Sequence, residues 1–295
     1  MKKIRMILFF TLFFGASGVS QTPALKDVRA KQYGFENKTY IYSGYFIDLK
    51  NPRFYFSFKD GTIEIAEPAF NTDEEKWAQA IVYTAPYALI RKDGFLYLHT
   101  DTRRFLILFS GEVCLLKDCN STLCLWGLEK SSKYILRDTV RGYTSPFLFQ
   151  PQYQSFSSFL TETINGVKFA YNRENKRYYL EINPWVEGIS GDGIGEVQTV
   201  NVPFGSDTFL FLNGFIDSGR PDLYLKNSRI KELIVRNGTF QETITLKDSP
   251  EPQIIQFACL LEGEVSFEIK SVYKGTKYED TAMSGILYLR IPPER

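Results

Sequence analysis

The segment Trp185–Glu196, WVEGISGDGIGE, gathers a tryptophan, three acids and four glycines into twelve residues. Its acids are Glu187, Asp192 and Glu196, and its glycines are Gly188, Gly191, Gly193 and Gly195. Four chemistries use such a set: phosphate binding, calcium binding, carboxylate catalysis and recognition. A dinucleotide loop needs G-x-G-x-x-G ahead of a helix whose N-terminus meets the pyrophosphate. The spacing here is G-x-G-x-G, and the strand-like EVQTVNV follows. A phosphate-cradling P-loop ends in Gly-Lys-Ser/Thr, which is missing, and an EF-hand needs alternating acids with a closing Glu. Asp192 and Glu196 alone do not supply one. A carboxylate pair for glycoside hydrolysis, Glu187 with Glu196 or Asp192 with either, depends on a separation that sequence does not give. The fourth chemistry is recognition. An indole at a strand-to-loop junction offers a flat apolar face with a polar edge, and such a face suits one side of a sugar ring. Tyr224, Asn227 and Arg229 in DLYLKNSRIKEL supply a second aromatic and polar loop. The expected ligand-binding set is therefore Trp185, Glu187, Asp192, Glu196, Tyr224, Asn227 and Arg229, with the four glycines as turn residues. The competing assignment makes Trp185 a core plug and Asn227 a turn former.

Other chemistries find little support. The chain holds a single histidine, His99, far in sequence from these acids, and its setting FLYLHTD reads as a strand end. A Ser-His-Asp or Cys-His site would have to form across domains. Cys114, Cys119 and Cys124 lie in GEVCLLKDCNSTLCLWG and Cys259 stands alone. If that stretch is a hairpin turning around Asp118–Asn120, Cys114 and Cys124 face each other and a cross-strand disulfide fits; free buried thiols are the alternative. Zinc would need a fourth ligand and tighter spacing, so no metal site and no cofactor is expected. Lysines and acids are interspersed, which argues against nucleic acid as a partner.

The elements that must position these residues are strands. Aromatic residues make up 16% of the chain and helical periodicity is scarce, a composition that favours β-structure. RFYFSFKDGTIEIA and YALIRKDGFLYLHT each place Asp-Gly between alternating apolar runs, a strong hairpin signal. RFLILFSGEVCLL adds two strands. NTDEEKWAQAIV is expected to form a short helix capped by Thr72 or Asp73. Residues 21–140 thus predict a small antiparallel β-meander or partial barrel of about six to eight strands. Gly142, Pro146 and Pro151 mark a crossover over 141–154. From 155 onward nine short strands predict an antiparallel sandwich: VKFAYN, KRYYLEI, EVQTVNV, TFLFLNGF, IKELIVRNG, QETITLKD, QIIQFACL, EVSFEIKSVYKG and GILYLRI.

Residues 1–20 read as a signal peptide, with Lys2, Lys3 and Arg5 before the apolar MILFFTLFFGA and small residues Gly18 and Ser20 before Gln21. The apolar run is too short for a permanent transmembrane anchor. The expectation is an exported protein, periplasmic or secreted. The full chain carries a formal charge of +1. Loss of the three signal cations leaves about −2 over about 275 residues, a length that suits two domains.

Three stretches taken in order carry a family resemblance: PWVEGISGDGIGEVQTVNV, then FLNGFIDSG with DLYLKNSRIKELIV, then IKSVYKGTKYEDTAMSGILY. They resemble the F5/8 type C, or discoidin-like, domain named from NAD glycohydrolase toxins, the NADase translocation or NADase-type glycan-binding domain, over about 155–295. The matching positions are Trp185, Glu187, Gly188, Gly193, Gly195, Glu196, Asn213, Gly214, Asn227, Arg229, Tyr273, Asp280 and Thr281. The resemblance implies a jelly-roll β-sandwich of carbohydrate-binding ancestry, without the toxin's NAD-cleaving activity. Two positions depart from the family pattern. YYLEINPW stands where relatives carry an Asp-Gly-Asp turn that helps hold calcium, and Phe215 replaces the tyrosine of Asn-Gly-Tyr. The functional expectation is a non-enzymatic exported protein that binds carbohydrate or cell-envelope glycan. The alternative is a structural or protein-interaction module of the envelope that keeps the sandwich as scaffold. A glycosidase using Glu187 and Glu196 is the third reading.

Overall fold

The computed structural model describes residues 34–42, 55–71, 76–121, 124–129, 131, 135–138, 143–146, 148–149, 154–172 and 184–289. The expected signal peptide and the expected strand KRYYLEI lie outside them. The described residues are all-β, apart from one short helix.

The N-terminal sheet has nine strands: β1 (Thr39–Tyr42), β2 (Tyr55–Lys59), β3 (Thr62–Asn71), β4 (Lys76–Pro86), β5 (Ala88–Lys92), β6 (Phe95–His99), β7 (Arg104–Ser110), β8 (Val113–Asp118) and β9 (Cys124–Glu129). All pairings are antiparallel, in the order β4-β3-β2-β1-β9-β8-β7-β6-β5. The two outermost strands, β4 and β5, are joined through Tyr87 alone, so the sheet must curl round until its ends meet. This is the expected partial barrel. The Asp-Gly turns form as read: Asp60 and Gly61 have φ of 49° and 73°, and Asp93 and Gly94 have 52° and 84°. Both positions need the left-handed region in this hairpin turn, and Asp and Gly adopt it at low cost. Over its described residues, the helix expected in NTDEEKWAQAIV is corrected: β4 occupies 76–86 and pairs with β3 from Lys76↔Asn71 to Pro86↔Thr62, while the expected caps Thr72 and Asp73 lie outside the described residues. A long partner strand outweighed a weak local cap signal.

The second sheet is built from β12 (Leu148–Phe149), β13 (Gln154–Phe156), β16 (Trp185–Val186), β17 (Val197–Asn213), β18 (Ser228–Asn237), β19 (Phe240–Thr245), β20 (Gln253–Tyr273) and β21 (Thr281–Leu289), with α1 at Leu223–Lys226. Two hairpins stand apart from both sheets, β10 (Ile135–Asp138) with β11 (Tyr143–Pro146), and β14 (Thr161–Ile164) with β15 (Val167–Ala170). The main order is β12-β21-β17-β20-β18-β19, and β18 also pairs in parallel with β21 through Ser228↔Thr281 and Arg229↔Ala282. EVQTVNV and TFLFLNGF, expected as separate strands, are the two halves of β17, and QIIQFACL and EVSFEIKSVY are the halves of β20. Register shifts between Val202 and Thr208 bend the pair, so that one ribbon serves both layers of the sandwich. Trp185, Phe209, Phe211, Val265, Phe267, Ile269, Met283 and Ile286 fill the core between those layers.

Strands β6 to β9 are buried on both faces. Leu96, Leu98, Phe105, Ile107, Cys114, Leu116 and Leu125 point inside the curled sheet with Phe56 and Phe58. Their neighbours Phe95, Tyr97, Leu106, Leu108, Leu115, Trp126 and Leu128 point outward and share a core with Leu210, Leu212, Ile216, Tyr224, Leu287 and Leu289 of the sandwich. The ring edge of Phe95 meets Tyr224 at 5.5 Å, and the Phe109 N–H donates to Glu251 Oε2 at 2.8 Å. No helix among the described residues is long and apolar enough to cross a membrane.

Candidate functional site

The turn Trp185–Glu196 is pinned by its neighbour Ser158. The Trp185 indole N–H donates to the Ser158 carbonyl at 2.8 Å, the Gly188 N–H donates to Ser158 Oγ at 2.9 Å, and that hydroxyl donates to Glu196. Ser157 Oγ donates to the same Glu196 oxygen at 2.5 Å. The Trp185 ring is 1% exposed and stacks on Phe156 at 5.3 Å and 25°. An indole with its N–H satisfied and its faces packed is a core side chain, so the flat surface expected for a sugar is not presented here.

Glu187 is buried yet doubly bonded. Its Oε1 accepts the Thr281 N–H at 3.0 Å and its Oε2 accepts the Ile189 N–H at 2.9 Å. Burial pushes its carboxyl up, the two N–H donors pull it down, and the nearby Asp280 and Glu196 charges add to the rise. Gly193, at φ +67°, lies so close that a Cβ there would stand 2.4 Å from Glu187 Cγ. Here glycine is required for both its backbone and its missing side chain. Gly191 and Gly195 also have positive φ, 99° and 92°, whereas Gly188 is confined by the Phe159 carbonyl. Asp192 pairs with Lys274, and its own carbonyl accepts the Thr281 hydroxyl at 2.7 Å. Past the turn, the Gly195 N–H and Glu196 carbonyl bond Ile269, which sets β17 against β20.

The second loop forms its own closed network. Arg229 is buried and holds Asp248 bidentately, with Nε to Oδ1 at 3.0 Å and Nη2 to Oδ2 at 2.8 Å. Its remaining nitrogen donates to the carbonyls of Asn227 and Lys274. Tyr224 is buried beneath that guanidinium, which lies 5.6 Å from the ring centre. The Asn227 amide donates to Leu223 O at 2.8 Å at the end of α1. Asn213 acts as a side-chain rung between β17 and β18, bonding both the N–H and the C=O of Ile230. Tyr273 donates to Leu246 O, and the Asp280 carbonyl receives the Ser228 N–H. The expected ligand set therefore falls into two internal networks, one around Glu187 and Ser158 and the other around Arg229 and Asp248.

Ser158 and Asp248 are the members that sequence reasoning missed. SFSSF and LKDSPEP carry no motif, and only three-dimensional contact makes them hubs.

The cysteine reading is corrected. Cys114 pairs with Gly127 and Cys124 with Lys117, and the two lie on opposite faces of the sheet, Cys114 inside it and Cys124 against the shared core. No disulfide joins any of the four cysteines. His99 ends β6, and burial with the Arg104 charge pushes its imidazole below the usual range. Among the described residues, no group of three or more His, Cys, Asp or Glu side chains is arranged to hold a metal ion.

A bent antiparallel sandwich, sealed by a glycine turn and by a buried arginine paired with the exposed Asp248, defines a β-sandwich module. Residues 152–289 match the family model described as the NAD glycohydrolase translocation F5/8 type C domain. The C-terminal part of the chain is thus similar to that family, as its motifs led one to expect. No curated protein matches the chain.

Proposed function

We propose that this is a non-enzymatic exported protein whose sandwich is a recognition module for carbohydrate or cell-envelope glycan. One observation supports this reading. The exposed large apolar side chains Ile164, Val167 and Phe169 share one face of the β14–β15 hairpin, inside the stretch similar to the translocation domain. Large apolar side chains gathered exposed on one face mark an interaction surface. The carboxylate best placed for acid–base work, Glu187, has both oxygens occupied by backbone N–H groups, which supports a binding role over catalysis. No cofactor enters this reading, and neither nucleic acid nor a permanent membrane anchor does.

The test is a glycan array probed with the purified mature protein. Saturable binding to a subset of oligosaccharides is the expected result. The burial of Trp185 favours a second reading, a scaffold that engages a protein partner of the envelope. A blank array, together with a pulled-down protein whose binding ignores competing sugars, would replace the first reading by the second.

A further inference from the structure

The ribbon β14–β15 is the one described hairpin whose whole surface is exposed on the matched segment. Its base is held firmly. Leu160 N–H donates to Val186 O, Val186 N–H to Tyr171 O, and Tyr171 N–H to Leu160 O, a closed ring of three backbone bonds at 2.8 to 3.2 Å. Cross-strand register puts Glu162 opposite Phe169 and Ile164 opposite Val167, so one face of the ribbon carries a carboxylate, a phenyl ring and two aliphatic side chains. Phe169 is 49% exposed. It leans on Tyr171 at 5.8 Å, and the Tyr171 hydroxyl donates to Glu162 Oε2 at 3.0 Å, fixing the exposed Glu162 carboxylate beside the exposed ring. Behind Tyr171 lies Phe215 at 5.9 Å, and over Phe215 lies the Arg220 guanidinium at 5.2 Å, half exposed and held by Asp217.

We infer that Phe169 and Glu162, with the Arg220 guanidinium over Phe215, form the binding platform for a neutral saccharide. This rests on the carbohydrate reading above and gives it an address other than the Trp185 turn. The chemistry is that of a sugar site: a flat apolar face for the C–H side of a pyranose, a carboxylate acceptor for its hydroxyls, and a guanidinium donor nearby. Because Tyr171 and the three-bond base hold these groups in place before any ligand arrives, little ordering is left to be done on binding. Charge selects the class. Glu162, Asp217 and the adjacent Asp280 outnumber Arg220 and the hairpin's Lys168, so sialylated or uronic sugars are repelled and neutral hexose or N-acetylhexosamine chains are accepted.

The test uses the full mature chain on immobilised neutral oligosaccharides ending in hexose or N-acetylhexosamine, beside sialylated counterparts. Phe169→Ala, Glu162→Gln and, as a control elsewhere on the sandwich, Leu260→Ala at an exposed position of β20 are compared with the unaltered protein. Binding to neutral chains that falls about tenfold or more in the first two variants and holds in Leu260→Ala, at unchanged thermal midpoint, is the expected result. Binding that survives both Phe169→Ala and Glu162→Gln overturns the platform and leaves the carbohydrate reading standing. Preference for sialylated chains also overturns it. No binding to any chain overturns the platform and the carbohydrate reading together.

Discussion

Glu251 offers a direct measure of how the curled sheet and the sandwich hold together. It sits just before β20 and takes the Phe109 N–H of β7, so its carboxylate bridges the two sheets. Burial raises its pKa from 4.5 to about 7, against the opposing pull of the Phe109 N–H and of Arg91. The folded protein therefore holds a proton that the unfolded chain releases between pH 4.5 and 7. Stability is highest below that window and falls as pH rises through it. Taking the full rise from 4.5 to about 7, at 1.36 kcal/mol for each pH unit, the loss above pH 7 is at most about 3 kcal/mol. Glu251→Gln keeps an oxygen for Phe109 and removes the titration. Urea unfolding of both proteins at pH 5, 6, 7 and 8 gives the comparison. Glu187 and Asp280, whose carboxyls are also raised, contribute equally to both proteins and cancel in the difference. The variant is expected to match the parent near pH 5 and to exceed it at pH 8. Parallel stability curves across the range would refute the placement of a protonated carboxyl between the sheets.

Further expectations concern the internal networks. Trp185→Ala removes a fully buried indole and its bond to Ser158, and is expected to cost about 3–5 kcal/mol in denaturant unfolding; a loss under 1 kcal/mol would show the ring to be dispensable to the core. Asp248→Ala takes from the buried Arg229 guanidinium a carboxylate that is itself 38% exposed, so solvent screening limits the expected cost to about 1–2 kcal/mol, seen as a lowered urea midpoint. In thiol labelling of the native protein, exposed Cys259 is expected to react at once. Cys114, buried and with its thiol pushed up by that burial, is expected to react only on unfolding.

Much of the fold was legible because hairpins advertise themselves locally. Asp60-Gly61 and Asp93-Gly94 formed as read, since the turn conformation depends on those two residues alone. The family motif was equally visible, but its meaning was not. Trp185, Glu187 and Arg229 look like ligand residues in sequence because aromatic and charged side chains are costly to bury. Only the partners, Phe156, Ser158, Thr281 and Asp248, show that the cost is met inside. The helix expected in NTDEEKWAQAIV failed because a ten-rung ladder with β3 decides that segment, and a ladder is a long-range fact. One signal was present and unused. FLYL, against the alternation read there, runs apolar without a break, as do FLIL and VCLL, whereas YFSFK alternates. Unbroken runs belong to strands covered on both sides, and here the second cover is the sandwich.

That double cover bears on how the matched segment can travel between proteins. A cut in the crossover would sever the chain but not the shared core. Each half would carry away one side of it, Leu106, Leu108, Leu115 and Trp126 on one piece and Leu210, Leu212, Leu287 and Leu289 on the other. Proteins that use a similar sandwich without this N-terminal sheet should therefore bear polar side chains at the places of Leu210, Leu212, Leu287 and Leu289, while Phe209, Phe211 and Ile286, which face the sandwich interior, stay apolar. The alternation along β17 and β21 thus doubles as a record of which sandwiches have a companion.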